Sequence, residues 1–423
     1  MSRVSRVVVS LLLVFGLLAI PVAAMAESNS TSVSSGNDFP IVLVHGLAGW
    51  GKNEMLGYKY WGGFRDIEAN LNNNGHRTYV ATVGPLSSIW DRAVELYYYI
   101  KGGKVDYGAA HAKKHNHSRY GKTFPGIYSE WDSEKKIHLV GHSMGGQTVR
   151  TLVELLENGN KEEQEFFQEH PEEGISPLFT GGKSLVHSVT SLATPHNGST
   201  FADQESLIPL IKKLILDVAS TAGLTSENII YDFKLEQWGL KRNVGETFKN
   251  YMNRVMSSSV WESDDISAYD LSTYGAQELN SWVKTNPNVY YFSHVGNASY
   301  QGVLTGYYYP MITMNPLMMG TSKLIGSYTR NSEEPIINRT WFPNDGLVNV
   351  VSAKYPNGQA NMPYNVDMAK GEWNYFPTME GWDHMDFIGI LGANTPGYLN
   401  IYGYYNKIAD QLHGLPKDHN FLE

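Results

Sequence analysis

The chain has 423 residues, 42% of them hydrophobic, which is long enough for a single large α/β domain with a sizeable core. Its formal net charge of -9 argues against nucleic acid as a partner, because phosphate neutralisation requires a clustered basic surface, and its slightly negative mean hydropathy argues against a multi-span membrane protein. The lack of cysteine excludes disulfides, cysteine nucleophiles and thiolate metal sites, so any metal site must use histidine and carboxylate ligands.

The N-terminus has the pattern of a secretory signal peptide. Arg3 and Arg6 precede the apolar segment VVVSLLLVFGLLAIPVAA, and the small-residue sequence AMA stands before Glu27. The alternative, a membrane anchor, is disfavoured because the apolar run is shorter than the ~20 residues that a spanning helix needs. We therefore predict a signal peptide over 1–26, a disordered leader over 27–38 and a secreted protein without stable membrane insertion.

From Phe39 onward, apolar segments with strand character alternate with helical patterns. The strand candidates are FPIVLV, HRTYVATV, KIHLVGHS, VHSVTSLATP and NVYYFSHV, and the helix candidates include WDRAVELYYYIKGG and GQTVRTLVELLENG. This alternation predicts an α/β fold with a mostly parallel central sheet and helices on both faces. We expect one domain over 39–423.

Two segments of this domain have the composition of insertions. The segment 103–127 is polar and rich in histidine, whereas 201–226 is largely apolar. In the second segment apolar residues recur at helical spacing, which predicts an amphipathic helix. Its apolar positions are Leu207, Ile211, Leu214, Ile215 and Val218. From the residues alone, a surface helix packed on the core accounts for this pattern as well as a specialised role does.

The segment IHLVGHSMGGQTVR contains the motif G-x-S-x-G around Ser143. An apolar strand precedes the motif and a helix follows it, which is the context in which this motif carries a nucleophilic serine. The glycines remove side chains that would collide with the neighbouring strand and helix. We interpret Ser143 as a nucleophile, the alternative being an ordinary serine in a turn.

A serine nucleophile needs a base and an acid, which follow it in the order Asp/Glu, then His, in this type of fold. His384 lies in a glycine-punctuated loop, MEGWDHMDFIG, before the last helical stretch, so it is the preferred base. Asp345, in WFPNDGLVNVVS, is the preferred acid, although the following glycine is also typical of a simple turn. Asp383 is the rival acid, but a sequence neighbour rarely points at its own histidine's ring.

An oxyanion hole requires two backbone N–H donors. We expect one from Met144, directly after the nucleophile, and the other from Leu47 in the loop VHGLAG that follows the first strand.

Several long segments resemble the large secreted lipases of bacilli and staphylococci. They include IVLVHGLAGWGKNEMLGYKYWGG, NGHRTYVATVGPLSSIWDRAVELY, KVDYGAAHAKKHNHSRYG, GHSMGGQT, YDFKLEQWGL and NDGLVNV. Gly141 and Met144 are closer to the staphylococcal branch. The resemblance implies an α/β-hydrolase fold, a triad of Ser143, Asp345 and His384, and a triacylglycerol substrate at a lipid–water interface. It also implies that the apolar segment 201–226 is a lid.

The resemblance further implies a structural zinc ion. Its ligands would be Asp91, His111, His117 and Asp265. Four nitrogen and oxygen ligands can complete a tetrahedral site without thiolates. The neighbours His115 and Asp264 leave the register open, and a solvated basic loop remains the alternative.

A calcium ion beside the catalytic histidine is a weaker implication. Its ligands would include the carboxylate of Asp386 and the carbonyl of Thr313, and hard oxygen ligands of this kind suit calcium. A further aspartate of the family falls at about Leu391 in this chain, which weakens the expected site.

The sequence leaves alternatives for the function. A phospholipase or a broad-range carboxylesterase would share the triad, and a non-catalytic lipid-binding module ranks last because all three triad residues are present. We expect a monomer or a weak oligomer.

Overall fold

The computed structural model describes residues 36–417 except 205, 226–228, 366 and 391–399. The predicted signal peptide and nearly all of the predicted leader lie outside the described residues. One compact unit, Asn37–Leu415, contains all the described strands and helices.

A seven-stranded parallel sheet is the centre of the fold. The strands described for the chain are β1 (Ile41–Val44), β2 (Thr78–Ala81), β3 (Gly103–Asp106), β4 (Tyr120–Phe124), β5 (Ile137–His142), β6 (Val186–Leu192), β7 (Tyr290–His294), β8 (Gly296–Asn297), β9 (Ser299–Gln301), β10 (Tyr308–Pro310), β11 (Asn361–Pro363), β12 (Trp373–Tyr375) and β13 (Met379–Glu380). The sheet has the order β11-β12-β7-β6-β5-β1-β2, and every neighbouring pair is parallel. All the carboxyl ends of its strands therefore meet at one edge.

All of the described α-helices but the last lie between these strands in the chain. They are α1 (Ile67–Asn73), α2 (Ile89–Lys101), α3 (Ala109–His115), α4 (Met144–Asn158), α5 (Lys161–Glu169), α6 (Thr200–Gln204), α7 (Leu207–Thr221), α8 (Phe248–Met256), α9 (Ser267–Asp270), α10 (Thr273–Trp282), α11 (Met319–Ile325), α12 (Val350–Lys354) and α13 (Ile401–Gly414). Within the described residues, no helix is long and apolar enough to cross a membrane.

Each face of the sheet packs into its own apolar cluster. In β1, Ile41 and Leu43 join one cluster while Val42 and Val44 join the other, because successive side chains of a strand point to opposite faces. Helices α2 and α4 pack on the second face, whereas α1, α7 and α13 contribute to the first. Burial on both faces explains why the inner strands read as continuous apolar runs.

All five predicted strand segments are strands of this sheet. The edge strand β11 and its neighbour β12 were not predicted, because they have three residues each and contain Pro363 or a buried asparagine, Asn374, instead of an apolar run. Residues 103–127 form the antiparallel pair β3–β4 together with α3, outside the main sheet.

A close approach of α4 to β1 sets the geometry around the turn that contains Ser143. A Cβ atom on Gly145, in the first turn of α4, would overlap the carbonyl oxygen of Val44. Only glycine allows the helix to start this close to the end of the strand.

We expect Gly145→Ala to lower the free energy of unfolding by about 1–3 kcal/mol, because backbone atoms must move to admit the methyl group. The matched control is Gly320→Ala in α11, where a Cβ atom would meet open space, so no loss is expected. Urea unfolding of both variants measures the difference. Equal stabilities would contradict the role given to Gly145.

Candidate active site and metal cluster

Ser143 occupies the turn between β5 and α4 with a strained backbone. Its φ of 56° and ψ of -129° are dihedral angles that residues other than glycine rarely adopt. Its N–H donates to the carbonyl of Leu192 on β6 at 2.8 Å, which fixes the turn against the neighbouring strand. The side chain thus stands at the carboxyl edge of the sheet, at the start of a helix, as the motif predicts.

Asp345 and His384 are joined through both backbone and side chains. The His384 amide donates to the Asp345 carbonyl at 2.9 Å, and His384 Nδ1 lies 2.8 Å from Asp345 Oδ2. The other carboxylate oxygen accepts the amides of Leu347 and Val348 at 3.0 and 2.7 Å. Both side chains are buried. With Nδ1–H directed at the carboxylate, Nε2 is the ring nitrogen available to take a proton.

Asp383, the rival acid, faces away from this pair. Its carboxylate accepts backbone amides of Asn315 at 2.7 Å and of Met385 at 2.9 Å, so it organises the loop and does not orient the His384 ring. Burial, with a further contribution from the charge of Asp345, raises the pKa of Asp383 to about 6.

The two amides predicted for the oxyanion hole are free to receive an oxygen. In the loop after β1, the amides of Gly46, Ala48 and Gly49 donate to a tyrosine hydroxyl and to two carbonyls, whereas that of Leu47 donates to no described residue. Met144 is the first residue of α4, and the first amides of a helix have no acceptor within it.

A buried hydrogen-bond chain that the sequence did not reveal connects this loop to the histidine. The Gly46 amide donates to Tyr60 Oη at 2.9 Å, and Tyr60 Oη lies 2.7 Å from His142 Nδ1. His142 Nε2 in turn lies 3.0 Å from the His384 carbonyl. Burial lowers the pKa of His142 well below its usual value, and the neighbouring His384 adds to this effect. The ring of His142 is therefore neutral, so it can accept a hydrogen bond at Nδ1 and donate one at Nε2.

Ser143 and His384 line one apolar cavity of about 60 Å³, together with Leu47. Helix α7 closes this cavity. Its lining side chains are Leu207, Leu210, Ile211 and Leu214. Pockets for organic ligands have volumes of roughly 300–1,000 Å³, so an ester with a long chain requires α7 to move.

A second site joins the polar segment 103–127 to two other parts of the chain. It is formed by Asp91, His111, His117 and Asp265. One potential ligand atom from each residue lies within 4.8 Å of all the others. These four atoms are buried and have no hydrogen-bond partner among the described residues, which is unusual for buried polar atoms and fits a bound cation.

Surrounding residues hold these side chains in place. Glu163 accepts amides at the start of α3, including that of His111 at 2.7 Å. Gln237 donates to the outer oxygen of Asp91 at 2.8 Å, and His117 Nδ1 lies 3.0 Å from the carbonyl of the following residue. Both interactions leave the inward-facing atom of the ligand free.

The electrostatics of this cluster also favour a cation. Burial disfavours the charged imidazole of His111, but the carboxylates of Asp265 and Asp91 outweigh this effect and raise its pKa to about 9. His115 and Asp264 form a separate pair, 3.1 Å apart. The sequence left open which neighbouring residues belong to the cluster. The structure places His111, His117 and Asp265 in it and leaves out His115 and Asp264.

The structure brings together only some of the residues that are expected to bind calcium. Asp386 is buried, and its Oδ2 accepts the Asp383 amide at 2.8 Å, whereas Thr313 is exposed. Asp383 holds the amide of Asn315, two residues after Thr313. The position of Leu391 lies outside the described residues.

Comparison with known proteins places the chain in a family. Residues 37–417 match the family described as lipase-like, C-terminal domain. The chain belongs to this family. The lipase-like domain is 42% identical over 381 residues to Lipase 1 of Staphylococcus aureus, covering 89% of this chain and 54% of that protein. The chain thus spans about half the length of the curated relatives that it matches.

Solved structures agree with this assignment. The lipase-like domain is 48% identical to EstA from Clostridium botulinum, with a TM-score of 0.86 and coverage of 92% of this chain and 91% of that one. It is 47% identical to Lipase 1 from Pelosinus fermentans, with a TM-score of 0.81 and coverage of 90% and 99%. The family and the α/β-hydrolase fold predicted from the sequence are confirmed.

We expect Tyr60→Phe to lower the free energy of unfolding of the lipase-like domain by about 1–3 kcal/mol, because it leaves the Gly46 amide and His142 Nδ1 buried without partners. Tyr97→Phe is the matched control, since the hydroxyl of this buried tyrosine bonds to no described residue. Denaturant titration compares the two, and an equal effect would remove the evidence for the Tyr60 chain.

Proposed function

We propose that this protein is a lipase that hydrolyses ester bonds of triacylglycerols through Ser143, His384 and Asp345. The observation that carries the proposal is the joined His384–Asp345 pair in the same apolar cavity as the strained Ser143. A soluble ester would not require an apolar helix over the cavity, whereas a substrate with long acyl chains would.

The mechanism is a two-step acyl transfer. His384 Nε2 takes the Ser143 proton as Oγ attacks the ester carbonyl, and Asp345 keeps the ring oriented and stabilises its charged form. The amides of Leu47 and Met144 receive the developing oxyanion. The alcohol leaves with the proton returned by His384. Water then attacks the acyl-enzyme while His384 Nε2 takes its proton. The fatty acid is released, and His384 returns the proton to Ser143 Oγ.

Helix α7 acts as a lid in this proposal. Its apolar side is buried over the cavity, so opening in water would expose that side to solvent. At a lipid surface the exposed side contacts lipid instead, and this differential affinity favours the open state.

The cluster of Asp91, His111, His117 and Asp265 is proposed to hold zinc. Two imidazole and two carboxylate donors suit this ion in a structural site, where it links α2, the segment 103–127 and the chain before α9. The ion would supply stability and no catalytic chemistry, because the cluster lies apart from the cavity lined by Ser143.

Calcium stays a proposal with less support. The buried carboxylate of Asp386 lies in one loop with His384, and hard oxygen donors such as this carboxylate and the carbonyl of Thr313 suit this cation. Calcium would fix the loop that positions the base.

Export likewise remains a prediction from the sequence, since the segment 1–26 lies outside the described residues.

We expect Ser143→Ala to abolish hydrolysis of emulsified triolein, and Asp345→Asn to reduce it by about 10⁴-fold, because the ring of His384 loses its orientation. Fatty-acid release from triolein, tributyrin and phosphatidylcholine measures both the loss and the substrate class. Preferred release from phosphatidylcholine would favour a phospholipase, and preferred release from tributyrin a carboxylesterase.

Asp383→Asn provides the matched control, since the same substitution falls on a carboxylate that faces backbone amides. Its activity should stay within about tenfold of the wild type. An equal loss in Asp383→Asn and Asp345→Asn, with both proteins folded, would refute Asp345 as the acid. Undiminished hydrolysis by Ser143→Ala would show that the G-x-S-x-G motif is only a structural turn.

Metal analysis is expected to find about one zinc per chain, and its removal by a chelator should lower the midpoint of thermal unfolding by about 5 °C or more. His117→Asn should lose the zinc, whereas His115→Asn, on the same loop, should retain it. Zinc retained by both variants, or lost from both, would contradict the ligand assignment.

A further inference from the structure

The antiparallel pair β9–β10 forms a hairpin with an apolar tip. Val303 and Leu304, in the turn, are 98% and 99% exposed, and Ile312, after β10, is 94% exposed. Single apolar residues are common on protein surfaces, but two adjacent and fully exposed aliphatic side chains at a tip are not.

The hairpin is braced, so its tip is held away from the protein. The Gly302 amide donates to the Tyr307 carbonyl and the Gly306 amide to the Gly302 carbonyl, both at 2.8 Å. Directly after the turn, the Tyr308 amide donates to the carbonyl of Gly326, the residue that follows α11, at 2.8 Å. The turn is thus held in place by hydrogen bonds and by contact of the Tyr307 ring with Phe342, while the side chains of Val303 and Leu304 are exposed.

The base of the hairpin is attached to the loops of the candidate active site. The Ala298 amide donates to the Asn344 carbonyl, and the Asn344 amide donates to Ser299 Oγ, both at 3.0 Å. Asn344 directly precedes Asp345. Strand β8 pairs with β13, which leads into the loop of His384. Since the hairpin also follows the carboxyl end of β7, it rises from the sheet edge that carries Ser143.

The charge of the hairpin indicates which surface it fits. Residues 295–322 contain no Asp, Glu, Lys or Arg, although the chain as a whole carries a net charge of -9. Tyr300 and Tyr307 flank the tip and are exposed, as tyrosines are at the level of lipid headgroups. The hairpin segment is itself uncharged, although the guanidinium of Arg339 lies beside Gly306 in the turn, and an uncharged tip on an acidic protein suits a neutral lipid surface.

We propose that the tip of this hairpin, Val303 and Leu304, inserts into a neutral lipid surface and docks the protein with its active-site edge facing the lipid. The choice of lipid as the partner rests on the proposed lipase function. Binding can nevertheless be measured without hydrolysis, so the two proposals can fail separately.

The lack of cysteine allows a direct test. In a metal-supplied Ser143→Ala protein, Leu304→Cys is labelled with a fluorophore that reports polarity, and phosphatidylcholine vesicles are added. We expect a blue shift. Val244→Cys, labelled in the same way on another fully exposed apolar residue, should show none. A label on Leu304→Cys that still reports water while the protein is bound to vesicles would overturn the proposal.

The second measurement is partitioning onto the same vesicles. Val303→Ser with Leu304→Ser should weaken it by about tenfold or more, with an unchanged unfolding midpoint, because both side chains leave water on insertion. Since the contact is apolar, the affinity of the parent protein should not fall between low and high salt.

Three further results would bear on the proposal. Unchanged partitioning of the double variant would refute it, and so would a lipid-free dimer that the double variant loses, because the tip would then bind a second copy of the chain. Insertion without triolein hydrolysis by the wild type would refute the lipase function and support the hairpin as a lipid anchor.

Discussion

The close packing of the start of α4 against the end of β1 is the constraint on which the site depends. Because Gly145 has no side chain, the helix begins immediately after β5 and leaves Ser143 as the single residue of the turn. The strained backbone of Ser143 is the cost of that short connection. The same approach brings the loop after β1 beside the first turn of α4, where the amides of Leu47 and Met144 can serve one oxygen.

Polar connections then fix the groups of the candidate active site relative to one another. Asp345 and His384 are joined by a side-chain and a backbone hydrogen bond, and the Tyr60–His142 chain links the His384 backbone to the loop of Leu47. Buried hydrogen bonds of this kind tolerate little displacement, because a broken one leaves an unsatisfied polar group. The site is therefore set before any substrate arrives.

The same edge of the sheet combines this rigid centre with apolar parts of two kinds. Helix α7 hides its apolar side over the cavity, whereas the tip at Val303 and Leu304 is exposed from the outset. An exposed anchor can meet a lipid surface first and hold the protein while the helix exchanges water for lipid. The cluster of Asp91, His111, His117 and Asp265 has no residue in the lining of this cavity, and it brings the polar segment together with α2 and the chain before α9.

The sequence by itself determined the features that depend on local pattern. Apolar runs identified β1, β2, β5, β6 and β7, the glycines around Ser143 identified the turn between strand and helix, and long family segments indicated the proposed triad and metal residues. Only the tertiary structure decided which carboxylate faces His384, that His115 lies outside the metal cluster, and that Tyr60 contacts His142. These outcomes depend on distances between segments far apart in the chain. For the same reason, apolarity alone did not determine burial: α7 and the tip of the β9–β10 hairpin are both apolar, yet the helix packs over the cavity and the tip is exposed, because the fold decides which surface each segment meets.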